Sequence, residues 1–158
     1  MKDPASALDQ VDRRILALLQ GDGRMSNLAL AQAVHLSPTA VLERVRRLVR
    51  ERFILGYEAR LNPHKLDATL LVFIEVVLER DSGAAFERFQ SAALERPEIL
   101  ECHMVTGTFD YLLKARVADM AAYHAFLNDV LLSLPGVRET HTYAVIEEVK
   151  NTQALRVD

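Results

Sequence analysis

Nine arginines lie between residues 13 and 60, and four of them, Arg44, Arg46, Arg47 and Arg50, fall within one stretch after Ser37-Pro38. At 100° per residue that stretch forms a helix with two sides. Pro38, Val41, Leu42, Val45, Leu48, Val49 and Arg52 share one side. Thr39, Glu43, Arg46, Arg47 and Arg50 share the other, with Ala40 and Arg44 flanking it. An apolar face inward and guanidinium groups outward is the layout a helix needs to enter a DNA major groove. Guanidinium groups meet phosphates or guanine edges, and the small Thr39 and Ala40 let the first turn approach the bases. An arginine run is more often an ordinary solvated face; the preceding elements shift the reading toward DNA.

Those elements form a helical trio. Leu8, Val11, Ile15, Leu18 and Leu19 recur at helical spacing, predicting a helix over 9–20 that Gly21-Asp-Gly23 ends. Ser26 caps a short helix over 27–34, and Ser37 caps the arginine-bearing helix, which runs to about Arg52 with Pro38 in its first turn. A short helix, a tight turn and a second helix make a helix-turn-helix, whose second helix reads the groove. Ser26 and Ser37 stand where hydroxyls meet phosphates. Tyr57–Leu61 alternates and is expected to form a small strand, the wing of this domain.

The second half changes period. Leu70–Glu79 reads as a strand, 84–96 as a helix stopped by Pro97, and 99–106 and 109–117 as strands joined by a turn at Gly107-Thr108. Asp119 caps a helix carrying Met120, Tyr123, Leu127, Val130 and Leu134 on one apolar face, and 137–149 is a last strand. The order βαββαβ is ferredoxin-like. The expected fold class is therefore α+β: a winged helix-turn-helix domain over 1–61 after a loose arm at 1–7, a linker over 62–69, and a ferredoxin-like domain over 70–158. Charge divides along the same line, with net +3 in residues 1–61 and −6 in 62–158. A polyanion partner belongs to the first part only.

In the second domain the turn Thr106-Gly107-Thr108 offers backbone N–H groups and hydroxyls to a carboxylate, and Asp110 an acceptor for an ammonium. That is the chemistry of a zwitterionic amino acid. Two helices cover one face of such a sheet. Leu71, Phe73 and Val77 then stand on the other face, interrupted by Glu75 and Glu79. Either a second copy or the N-terminal domain must cover them.

Other chemistry finds little support. Cys102 is the only cysteine, so no internal disulfide or all-cysteine metal cage can form, and Cys102 and His103 point to opposite faces of one strand. No nucleophile motif or phosphate loop appears, so neither an enzyme, a cofactor nor a bound metal is expected. No apolar run exceeds five residues, far short of a membrane span, and no hydrophobic stretch follows a basic start; a cytoplasmic protein is expected.

The chain resembles the Lrp/AsnC family of prokaryotic regulators. The stretches that carry the resemblance run in order along nearly its whole length. They are Leu8-Asp-Gln-Val-Asp-Arg-Arg-Ile15, Leu36-Ser-Pro-Thr39, Leu42-Glu-Arg-Val-Arg-Arg-Leu48, Gly56-Tyr57, Leu61-Asn-Pro-His64, Glu101-Cys-His103, Gly107-Thr-Phe-Asp-Tyr-Leu-Leu-Lys114, Leu134-Pro-Gly-Val137 and Glu147-Glu-Val-Lys150. Two departures stand in the DNA-reading region. His35 replaces a frequent glycine, and Ala40-Val41 replace a common proline and cysteine. The resemblance implies a sequence-specific regulator of double-stranded DNA, modulated by a free amino acid, leucine or another small apolar one, held between subunits. It adds Met104, Met120, Tyr143, Ala144 and Val145 as effector-linked positions and implies homodimers gathering into octamers. Two alternatives remain at this stage: an architectural DNA-bending protein of low sequence preference, and a ferredoxin-like enzyme.

Overall fold

A computed structural model of the chain describes residues 8–79 and 83–157. The expected loose arm at 1–7 lies outside them. The chain divides into two compact units, Met1–Arg60 with Lys150–Asp158, and Leu61–Val149. The last residues thus belong with the first unit, whereas the sequence reading places 70–158 together.

The first unit is a helical trio: α1 (Gln10–Gly21), α2 (Asn27–Val34) and α3 (Pro38–Arg50). Each start has a side-chain cap. Asp9 accepts from the Asp12 N–H at 2.7 Å, and the Asp12 carboxylate accepts in return from the Asp9 N–H at 3.2 Å, a reciprocal capping pair. The Ser26 and Ser37 hydroxyls each accept at 3.2 Å, from the N–H groups of Ala29 and Ala40. His35 ends α2 in the left-handed region at φ 57°, so histidine does serve where glycine would be easiest. Ile15, Leu30, Ala31, Val41 and Leu48 are fully enclosed between the three helices.

Two expectations fail here. The third helix stops at Arg50, and Arg52 turns back at φ 61°. Tyr57–Leu61 forms no strand, because no described segment of this unit supplies a ladder to pair with it. The wing is therefore not formed within the described residues of one chain.

The second unit is β1 (Leu70–Leu78), α4 (Gly83–Leu94), β2 (Ile99–Met104), β3 (Tyr111–Val117), α5 (Met120–Asp129) and β4 (Val137–Ala144). The sheet order is β2-β3-β1-β4, and every neighbour is antiparallel. This is the ferredoxin-like arrangement. Val72, Ile74, Val76 and Leu78 of β1 and Tyr111, Leu113 and Ala115 of β3 are buried against Phe89, Ala93, Tyr123 and Phe126. Period-two burial along β3 follows from one face meeting the helices. The opposite face carries Leu71, Phe73, Glu75 and Val77, then Leu112 and Lys114, as the strand alternation requires; Leu71, expected to stand open there, is already buried within the chain.

Three boundaries shift. The link between β2 and β3 spans Val105–Asp110, longer than the expected two-residue turn, and Gly107 occupies it at φ 145°. α5 ends at Asp129 and tightens into a single 3₁₀ turn over Leu131–Ser133. β4 ends at Ala144 and cannot run on to 149, because Ala144 already lies opposite Val72 and its partner β1 starts only two residues earlier; the Val145 N–H bonds to the Leu71 carbonyl at 2.9 Å just past the ladder's end.

Candidate DNA-reading and effector sites

The arginines of α3 separate into two sets. Arg46 and Arg50 are exposed, with 63% and 72% of their side chains open to solvent. Arg46 bonds only lightly to exposed Glu43 at 3.0 Å, and Thr39 is exposed on the same line of the helix. Arg44 and Arg47 turn instead toward α1. Arg44 Nη1 donates to Asp9 Oδ2 at 2.6 Å and to Asp12 Oδ1 at 2.8 Å, and Arg47 Nη2 donates to Asp12 Oδ2. Asp12 is fully buried. Its hydrogen bond, with that of Asp9, raises the Arg44 pKa, and the Asp12 backbone N–H and Arg44 hold the Asp9 carboxyl below its ordinary range. The sequence reading placed Arg47 with the outward residues and Arg44 at their edge. The balancing carboxylates lie 32 and 35 positions away, where a search along α3 alone does not reach.

One signal could have found them. Leu8, Asp12, Ile15 and Leu19 stand at helical spacing, so Asp12 is a charge inside an apolar stripe, and a buried carboxylate must be paired. Of the remaining candidates, Ser26 and Ser37 are exposed and Ala40 is partly covered. The two serine oxygens accept within their caps, which leaves each O–H free to donate to a phosphate.

The effector candidates fall into two groups. Met104, Thr106, Gly107, Thr108 and Asp110 lie at the end of the sheet where Met104 pairs with Tyr111 and Tyr111 with Val76. Met120, Tyr143, Ala144 and Val145 lie at the other end, where Ala144 pairs with Val72 and β3 runs out before α5. Four residues of β1 separate the two registers, about 13 Å of strand. One chain therefore does not bring these residues together. Met104, Met120 and Tyr143 are 58%, 59% and 55% exposed. Met120 is the first residue of α5 and does not join its apolar face, contrary to expectation; the helix begins there and turns it outward. Asp110 has a structural tie: one carboxylate oxygen accepts from the Leu78 N–H at 2.8 Å, closing the end of β1. Tyr143 donates to Glu75 at 3.1 Å, which raises its pKa.

Comparison with known proteins matches the two units separately. Residues 8–49 match the AsnC-type helix-turn-helix domain, and residues 71–155 match the Lrp/AsnC ligand binding domain. The chain belongs to the Lrp/AsnC family. Among Lrp/AsnC relatives, the leucine-responsive regulatory protein of Klebsiella pneumoniae is 57% identical over 154 residues, covering 98% of this chain and 94% of that protein. Its counterpart in Escherichia coli K12 is 56% identical over the same coverage. A transcriptional regulator from Neisseria meningitidis, solved as a complex with L-Met, superposes with a TM-score of 0.92 at 37% identity, covering 96% of this chain and 98% of that one. An AsnC family regulator from Agrobacterium tumefaciens gives 0.89 at 31%, covering 94% and 97%.

As an Lrp/AsnC protein the chain is a DNA-binding transcriptional regulator modulated by an amino acid. The family is one of regulators and not of enzymes, which favours the first of the three readings of the sequence. Among the described residues no cluster of potential metal ligands occurs, and no helix is long and apolar enough to cross a membrane.

Proposed function

We propose that α3 enters the major groove of double-stranded DNA with Thr39, Ala40 and Glu43 toward the bases and Arg46 and Arg50 on guanine edges or phosphates. Ser26 and Ser37 donate to the backbone. The exposed line Thr39–Glu43–Arg46–Arg50 carries this reading: it is polar, cationic at its far end, and backed by the helix's buried face. The effector is a free apolar amino acid. Leucine is the first candidate, because the relatives just described are leucine-responsive proteins, and methionine the second, because the Neisseria neighbour was solved with it.

The effector site closes between copies. Thr106–Asp110 with Met104 come from one copy, and Met120 with Tyr143–Val145 from another, since one chain holds the groups about 13 Å apart. Two copies join through the sheet face bearing Phe73 and Val77, and dimers gather further, up to octamers. The protein acts on DNA in the cytoplasm. Effector binding shifts the population between assemblies whose reading heads are spaced differently.

Calorimetry of the full chain with leucine, methionine, alanine and lysine, followed by DNA titrations with and without the ligand that binds, tests this. The expected result is saturable binding of an apolar amino acid and a change in affinity for selected DNA but little for random DNA. Binding of none of them, or equal affinity for both DNAs, overturns it; the second outcome favours the architectural reading.

A further inference from the structure

We propose that Asp12 sorts the arginines of α3. It withholds Arg44 and Arg47 from the DNA backbone and fixes the roll of the helix, so that Arg46 and Arg50 are the only arginines of α3 that meet the nucleic acid. This rests on α3 being the reading helix.

The geometry has three parts. First, Asp12 is the only fully buried charged residue among those described, and a buried carboxylate is held only by close, charge-assisted donors. Both of its oxygens are used: Oδ1 by Arg44, and Oδ2 by Arg47 and the Asp9 N–H. Second, the two arginines stand three residues apart on α3, so Asp12 grips that helix at two points one turn apart. Two grips resist rotation about the helix axis where one would act as a pivot. A roll of ~20° at a side-chain radius of about 6 Å moves an outward group by ~2 Å. That is enough to lose a base contact made at about 3 Å. Third, the cluster Asp9, Asp12, Arg44 and Arg47 is neutral as a whole. Arg47 Nε is buried without a partner, so its guanidinium is drawn in by Asp12 and not by its own helix. Of the four arginines on α3, the two whose charge is compensated face α1, and the two that face outward have at most one exposed glutamate each beside them.

Asp12 is thus a positioning residue that acts through its partners. A purely structural role for the same cluster would change stability alone. Anisotropy titrations of the full-length protein distinguish the two. The probes are a duplex selected by this protein from a random-sequence library and a scrambled duplex of equal length, each titrated across a salt series. Asp12→Asn keeps the side chain's size and removes its charge. With helix content intact, the expected result is a salt slope steeper by about one to two units as Arg44 and Arg47 reach phosphates. The selected-over-scrambled ratio should fall about tenfold or more. Adding Arg44→Met and Arg47→Met to Asp12→Asn should return the slope to wild type while the ratio stays low. A slope and ratio equal to wild type, with only a lower melting temperature, overturns the proposal. So does a slope shallower by about one in Arg47→Met alone, which decides the matter even where Asp12→Asn fails to fold. If neither Arg46→Ala nor Arg50→Ala changes DNA affinity, the reading helix itself is misassigned, a failure separate from that of Asp12.

Discussion

Phe73→Asp places a carboxylate in the middle of the sheet face opposite α4 and α5. Phe73 is partly covered within its own chain, so at most about a third of its surface remains for a partner copy to bury. A phenylalanine side chain offers 150–250 Å² in all, so the area left is at most about 50–80 Å². At ~25 cal/mol per Å² it is worth about 1–2 kcal/mol per copy, or about 2–4 kcal/mol across a two-fold contact. The aspartate adds repulsion from Glu75, two residues along on the same face of β1. The dimer dissociation constant should rise by about 10²–10³-fold or more. Light scattering after size exclusion, from about 1 to 100 µM, reads this directly. Wild type should elute at a defined multiple of 17.8 kDa, and the variant at 17.8 kDa at the lower concentrations. Affinity for DNA with two half-sites should fall, while affinity for a single half-site should not. A variant with the mass of wild type would show that this face is not the contact, and a wild type of 17.8 kDa would remove the dimer.

Three further outcomes follow from the same coordinates. Asp110→Asn preserves a carbonyl to accept from the Leu78 N–H but removes the charge offered to an ammonium, so calorimetry should show amino-acid affinity lowered about tenfold at an unchanged melting temperature. Acid should loosen the first unit through Asp9. Its pKa in the folded state lies below the ordinary 3.8, so its stabilisation is complete above that value and is lost as pH falls through and below it; helical circular dichroism should fall in that window, and Arg44→Met should blunt the loss. His35→Gly relieves a left-handed residue at φ 57° and should raise the melting temperature of the first unit by an amount equal to ~0.5–1 kcal/mol, whereas His35→Val should lower it.

The parts of the molecule legible from sequence are those whose causes are local. Ser26, Ser37 and Asp119 cap helices three residues ahead of the N–H groups they bind, and apolar period predicts which side of α3 and which face of β1 meet the core, although Leu71 on the other face of β1 is buried as well and Val49 on the apolar side of α3 is exposed. What escaped has its cause at a distance. The wing segment Tyr57–Leu61 has strand-like alternation but no ladder to join, and a strand is a property of two segments. β4 cannot run on to 149, because Ala144 already lies opposite Val72 and β1 starts only two residues earlier, a limit set in another part of the chain. Arg44 and Arg47 look like surface charges until α1 is laid beside them.

The proposed effector residues extend that rule beyond one chain. Part of their chemistry is legible, the hydroxyls and glycine turn at 106–108 and the carboxylate at Asp110, whereas Met104 and Met120 enter only through the family resemblance. Their meeting is not legible, because one copy leaves them at opposite ends of β1, some 13 Å apart. On the proposed arrangement this separation has a thermodynamic consequence. A ligand that needs groups from two copies binds only the associated state, so each bound amino acid stabilises association by RT ln(1 + [L]/Kd). At 100 times its dissociation constant that is about 2.7 kcal/mol per site, comparable to the contribution of the two Phe73 rings. Linkage makes the converse hold as well: association strengthens effector binding by the factor by which the effector strengthens association, so a change that populates single copies lowers the apparent affinity for the effector. Phe73→Asp should therefore lower amino-acid affinity although Phe73 touches no ligand, and raising protein concentration should restore it. Effector affinity that stays constant across a dilution series spanning dissociation would place the whole site within one chain.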